Sequence, residues 1–331
     1  MQVPLAYQIQ PVDLNYIDLK NTYFKISTHP PNPELIESIH HLGLINPPLL
    51  IINEQSKISY QIIYGFNRIQ SCQALGWKHL NAHVLSSDLS DFHCAVLAIC
   101  NNSFYRDLNL IELSRAFHLL QTHLPETIQL HQVATWLNLP NNLKMIEKIE
   151  KIYQMPQSLQ QSMLSQKISL SMALQIMTCP ERDRHFFISL FNLLKISLNK
   201  QREIFTLCYE IMARDDLTIQ GFTQEKEWQD IMADTCDNNQ KEKKIRTYLF
   251  NRRYPKLSMQ QKRFQDACHQ LEVNRDITIQ APPFFEGNVY TINMPFSSSE
   301  SLKEKWLSLG QLIDNPDFKD LIANSHIKNP T

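Results

Sequence analysis

In Ser59-Tyr60-Gln61-Ile62-Ile63-Tyr64-Gly65-Phe66-Asn67-Arg68 a β-branched and aromatic run stops at a glycine. The pattern then continues to Leu75 at helical spacing. Residues rich in Ile and Tyr favour a strand, and glycine is the residue that turns a chain sharply out of one. This predicts strand, turn, helix, with Phe66 to Leu75 entering the helix directly from Gly65. Upstream, Leu35, Ile36 and Ile39 are spaced for a helix, and Gly43 supplies a left-handed stop. Leu49 to Ile52 is a short apolar run suited to a buried strand, and Ala82 to Leu85 reads as another. Helix, strand, strand, helix, strand predicts a compact mixed α/β unit.

Downstream the period changes. Leu113, Phe117, Leu120 and Leu124 share one helical face, and Pro125, Pro140 and Pro156 punctuate a series of short helices. Residues 101–236 read as all-helical. The acidic, polar stretch 216–240, with Gly221 and Asn238-Asn239, reads as a linker. After it, Ser258 to Leu271 reads as a helix capped by its serine. Ile277-Thr-Ile and Val289-Tyr-Thr-Ile read as strands, and Ser299 to Ile313 as a closing helix. The expected class is α+β, with domains at 1–95, 96–215 and 241–331 joined through that linker.

Composition removes several functions. The 331 residues contain six glycines, none spaced as G-x-G, and no G-K-S or G-K-T occurs. The glycine-rich phosphate loops of dinucleotide folds and P-loop enzymes are therefore excluded. No apolar run approaches the ~18 residues needed to span a bilayer, and the first residues lack a secretion signal. A cytoplasmic protein without membrane contact is expected. Seven cysteines without a C-x-x-C pair read as free thiols. His79 and His83 are four apart, but on a strand that puts them about 13 Å apart, so no metal site is expected there. The formal net charge of -1 hides a basic block: Lys241 to Arg263 carries nine cations against Glu242 alone. Such a block is either a solvated face or a phosphate-contacting surface. The second reading predicts a continuous positive surface with Tyr248, Phe250 and Tyr254 turned inward.

Three segments, in order, resemble the ParB family of bacterial DNA-partition proteins. Glu34 to Ile52 is similar to the family's helix, G-L-x-Q-P and strand. Tyr60 to Arg68, followed by Ala74-Leu-Gly76, is similar to its strand leading into G-E-R-R. Asn102-Ser-Phe-Tyr-Arg106-Asp-Leu-Asn109-Leu-Ile-Glu112 resembles N-x-x-x-R-x-x-N-P-x-E. The resemblance covers roughly residues 8–195 and extends through a helix-turn-helix within Ile128 to Met155.

The resemblance implies an N-terminal fold shared with sulfiredoxin, binding of CTP with Mg²⁺, DNA as partner, homodimerisation and a ParA-like ATPase partner. It places nucleotide contacts at Gly43, Asn46, Gly65, Phe66, Asn67, Arg68, Asn102 and Arg106. DNA contacts fall at Asn141, Asn142, Lys144 and Lys148, with Arg252 and Arg253 added from the basic block. Departures matter. Phe66 and Asn67 stand where the family has Glu and its first Arg, and Asn101-Asn102 stand where ParB proper has Glu-Asn. An amide holds Mg²⁺ more weakly than a carboxylate and cannot act as a general base. No catalytic residue is assigned, and hydrolysis is expected to be slow or absent. The turn has no cysteine, so sulfiredoxin chemistry is set aside. A CTPase or nuclease, and an interaction module with a degenerate nucleotide site, are the alternatives. In the plainest reading Gly65 is only a turn, and Arg68 and Arg106 only pair with acids such as Glu112.

Overall fold

The structure, a computed structural model, describes residues 8–53, 60–271 and 277–324. It divides into two compact units, Met1–Arg184 and His185–Thr331.

The first unit opens with β1 (Gln8–Asp13), α1 (Pro33–Leu42), β2 (Leu49–Ile52), β3 (Tyr60–Tyr64), α2 (Phe66–Ala74) and β4 (His79–Leu85). The four strands form one sheet in the order β1-β4-β2-β3. β1 and β4 pair antiparallel, as do β2 and β3, while β2 runs parallel to β4. Val12, Leu50, Ile62, Ile69 and Ala82 are among the side chains that fill the core beneath it. Asn32 caps α1, accepting from the Leu35 amide, and Pro33 occupies the first turn, where no amide partner is lost. The Ser59 end of the expected strand lies outside the described residues. β1 is an element that the sequence reading missed. Its Pro11 argues against a central strand, but β1 is an edge strand, where a missing amide is tolerated.

Helices follow: α3 (Asp91–Ser103), α4 (Leu110–His123), α5 (Leu130–Trp136), α6 (Leu143–Glu150), α7 (Gln157–Leu164) and α8 (Leu170–Met177). The α4 start carries a reciprocal cap. The Asn109 side chain accepts from the Glu112 amide, and the Glu112 carboxylate accepts from the Asn109 amide. α5, a turn through Asn138 at φ +53°, and α6 make the helix-turn-helix. Val133, Ala134, Ile146 and Ile149 are its buried anchors.

α9 (Glu181–Leu194) crosses the boundary between units. The second unit continues with α10 (Leu198–Asp215), α11 (Ile219–Thr223), α12 (Lys226–Ala233), α13 (Asn238–Arg253) and α14 (Pro255–Gln270). The stretch read as a linker therefore contains two short helices. Phe222 and Trp228, 0% and 3% exposed, are buried with ring centroids 5.0 Å apart. Two aromatic anchors outweigh the polar composition that suggested a linker.

β5 (Thr278–Gln280) and β6 (Thr291–Asn293) form a two-stranded antiparallel sheet, followed by α15 (Ser299–Asp314) and α16 (Pro316–Asn324). Leu257, Phe264, Phe285, Leu312 and Phe318 make their core with α14. Ile277, Val289 and Tyr290 precede the strands expected to include them. Ser258 does not cap α14, because the helix already begins at Pro255; its hydroxyl instead donates to Asn251 Oδ1 at 2.6 Å.

Candidate nucleotide pocket and nucleic-acid interface

β3 passes into α2 through Gly65, whose φ is +94°. A Cβ placed there would lie 2.7 Å from Pro48 Cβ and 2.9 Å from Pro48 Cα. Both the backbone angle and the close approach of the 46–48 loop demand glycine. With no side chain to cap the helix, the first amides of α2 are left for another acceptor.

Around this turn lies a depression of about 270 Å³. Gly65, Phe66, Asn67 and Arg68 line one side, and Asn101, Asn102 and Arg106, at the end of α3 and just beyond, line the other. A second depression of about 360 Å³ shares Tyr64, Arg68 and Asn101 and adds Asn46, His83 and Tyr105. Seven of the eight residues that the resemblance assigned to nucleotide thus border these two spaces. Gly43 borders neither; it closes α1 at φ +76°, donating its amide to Ile39 O.

The two arginines differ in their partners. Arg106 donates to both oxygens of the buried Glu112 carboxylate, at 2.6 and 2.9 Å. Glu112 also accepts from the Thr28 and Asn109 amides at 2.9 and 3.1 Å. Burial alone raises its pKa, but the Arg106 bond and those amides outweigh burial and hold it below the usual carboxylate range. For Arg106 the plain ion-pair reading therefore describes the contacts seen.

Arg68 donates through Nη1 to the Asn46 and Pro47 carbonyls, at 2.7 and 3.2 Å, and through Nη2 to Asn101 Oδ1 at 3.4 Å. Among the described residues no carboxylate pairs with it. Burial lowers its pKa, opposed by Tyr64 and Tyr105. A half-buried cation held by neutral oxygens and lying over the Tyr64 ring at 5.7 Å, with no carboxylate partner among the described residues, is electrostatically incomplete and attracts an anion. Asn67 donates to His29 O at 3.1 Å, while its buried Oδ1 has no hydrogen-bond partner. The turn's glycine, the Arg68 charge and the open Asn67 oxygen fit a phosphate-bearing ligand with a hydrogen-bond donor. Neither depression has a carboxylate in its lining, so the residues present do not fit a metal held by the protein itself.

Lys25 and Ser27 also border the first depression, and the sequence reading missed both. They lie in a loop without periodicity, so no spacing signalled them. Lys25 sits over the Phe66 ring at 5.9 Å.

In the helix-turn-helix, Asn141, Asn142, Lys144 and Lys148 are all exposed at or on α6. The Asn142 side chain caps α6, accepting from the Met145 amide at 3.1 Å. Asn141 Nδ2 lies 3.4 Å from Thr135 Oγ1. Among the described residues neither lysine has an ion-pair partner.

The basic block behaves differently. Arg252 pairs with Asp215 at 2.6 Å and Glu225 at 3.1 Å, and Arg253 pairs with Glu210 at 2.7 Å. Arg246 pairs with Glu203 and Glu242, and Lys244 with Asp234. The expected continuous positive surface is thus broken up, because α13 packs against α10 and α12, whose helices and flanking turns present matching carboxylates. Tyr248 is turned inward and donates to Glu225, but Tyr254 is 36% exposed.

A small mixed sheet with a glycine turn at a polar depression is followed by a helix-turn-helix. Residues 8–103 match the family model described as the ParB N-terminal domain, and over that span the chain is ParB-like. The nucleoid occlusion protein of Oceanobacillus iheyensis is 27% identical over 172 residues, 51% of this chain and 57% of that protein. The probable chromosome-partitioning protein ParB of Chlamydia trachomatis is 27% identical over 158 residues, 47% of this chain and 54% of that protein. The chain spans about half the length of these curated relatives. A C-terminally truncated chromosome-partitioning protein ParB from Caulobacter crescentus, solved with CTP-γ-S, is 17% identical. It covers 56% of this chain and 98% of its own, with a TM-score of 0.26.

Proposed function

We propose that this is a DNA-binding protein of chromosome or plasmid partition, or of related regulation such as nucleoid occlusion, and that CTP bound at the Gly65 turn switches its conformation. The observation that carries the reading is Arg68, a cation held by neutral oxygens beside a glycine-bounded helix start. A triphosphate completes that charge and meets the free amides of α2. Asn101 and Asn102 give the pocket no general base, so the nucleotide acts as a bound switch and not as a substrate turned over quickly. Any Mg²⁺ arrives with the phosphates. The α6 face with Lys144 and Lys148 meets DNA. A homodimer acting in the bacterial cytoplasm with a ParA-like ATPase belongs to the same proposal.

The test is a salt-dependent titration of DNA binding with and without CTP. Tighter or sequence-restricted binding that changes with CTP supports the reading. DNA binding indifferent to CTP removes the switch, and no DNA binding at low salt removes the function. The ion-paired basic block favours a second reading, an interaction module without DNA affinity, which that last result would select.

A further inference from the structure

A larger cleft, of about 790 Å³, shares Lys25 and Ser27 with the α2 depression, and neither the sequence motifs nor the proposed function gives it a role. Lys20 and Lys25 line it from the loop after β1, and Arg115, Ser114 and His118 from α4, together with Tyr153. His118 and Tyr153 stack with centroids 3.6 Å apart at 16°.

Its charge is one-sided. Three cations line the cleft and no Asp or Glu does. Arg115 donates only to backbone, to Ile26 O at 3.3 Å and Ser27 O at 3.1 Å, and among the described residues no carboxylate forms an ion pair with Lys20, Lys25 or Arg115. Burial lowers the Arg115 pKa, and the nearby Glu112 charge opposes this only in part; the Glu112 oxygens are occupied by Arg106, Thr28 and Asn109. Burial depresses the Lys25 pKa, and the neighbouring Arg115 charge depresses it further. Like charges brought together in a recess, with no acid between them, are unfavourable until an anion joins them. A second observation points the same way. Ser114 is 1% exposed, lines the cleft, and its hydroxyl is buried without a hydrogen-bond partner. Buried hydroxyls are nearly always satisfied, so this donor awaits an acceptor.

We infer that this cleft is a second anion site, taking a small phosphate-bearing ligand on Lys20, Lys25, Arg115 and the Ser114 hydroxyl. The recess favours a small molecule over a duplex backbone, because a buried hydroxyl sits too deep for a phosphate on the outside of a double helix. Lys25 and Ser27 border both this cleft and the α2 depression.

Pyrophosphate is the probe, titrated calorimetrically into the full chain at low salt. Lys20→Gln, an exposed change that leaves the fold intact, should weaken binding about tenfold through the loss of one charge-assisted contact, and Arg115→Gln should weaken it at least as much. Arg68→Ala, in the other pocket, should leave it within about twofold. That independence separates the failure of this site from failure of the α2 pocket. Absence of pyrophosphate binding overturns the inference. So does binding that Lys20→Gln leaves unchanged, or that Arg68→Ala alone abolishes. Displacement of pyrophosphate by a short nonspecific duplex overturns the small-ligand assignment in favour of a nucleic-acid backbone.

Discussion

Arg106 and Glu112 clasp each other at two points, Nη1 to Oε2 at 2.6 Å and Nη2 to Oε1 at 2.9 Å, across the start of α4. The same carboxylate caps α4 and takes the Thr28 amide, so one buried side chain ties α4 to the loop that precedes α1. Arg106 is therefore a pocket-bordering residue whose charge is already matched, and among the described residues Arg68 and Lys25 are left as the pocket cations without a carboxylate partner.

Glu112→Ala removes the acid from the exposed Arg106 guanidinium and leaves the part-buried Thr28 and Asn109 amides without their acceptor. The expected cost is about 1–3 kcal/mol in urea denaturation. Because the folded Glu112 carboxyl titrates below its unfolded value, its stabilisation is complete above that unfolded value and is lost as the pH falls through the folded one. The gap between wild type and Glu112→Gln should therefore narrow below about pH 4. A gap that is constant from neutral to acid pH would show that the charge contributes nothing.

Arg68→Ala should abolish CTP binding measured by calorimetry while the chain stays folded, since Arg68 bonds only to carbonyl and amide oxygens. Gly65→Ala should do the same with a loss of stability, because its Cβ meets Pro48 at 2.7 Å. Retained CTP affinity in Arg68→Ala places the nucleotide elsewhere.

CTP turnover should stay well below roughly one per second, with or without Mg²⁺. Asn101 and Asn102 border the pocket where a carboxylate would have to stand. Turnover at or above that rate would require a base from outside the pocket described.

Much of the first unit was legible because its signals are local. Gly65 and Gly43 mark the turns they make. What was not legible depends on distant partners. Pro11 disguised an edge strand whose position is set by β4. Lys25 reaches the pocket from a loop with no period, and Arg115 was readable only by noting that it lies three residues after Glu112 on the same helix. The basic block misled most. Its sequence shows nine cations, but Glu203, Glu210 and Asp215 lie about 40 residues away and meet it only through the packing of α10 on α13.

These ion pairs make the two candidate DNA surfaces separable. Lys144 and Lys148 stand exposed on α6 without carboxylate partners among the described residues, so each can neutralise a phosphate without first breaking a contact. Arg252 and Arg253 must give up Asp215, Glu225 and Glu210 before they can do so. If DNA lies on α6, log affinity falls with log salt by about 0.9 per phosphate contacted. Replacing Lys144 and Lys148 together by Ala should then reduce that slope by roughly two and weaken binding across sequences. Replacing Arg252 and Arg253 together by Ala should leave both affinity and slope unchanged. It should instead lower the thermal midpoint, because Glu225, which Arg252 and Tyr248 hold below the usual carboxylate range against its burial, loses a partner. A slope that drops with the arginine pair and not with the lysine pair would move the DNA surface to α13 and make its ion pairs a gate that DNA must open.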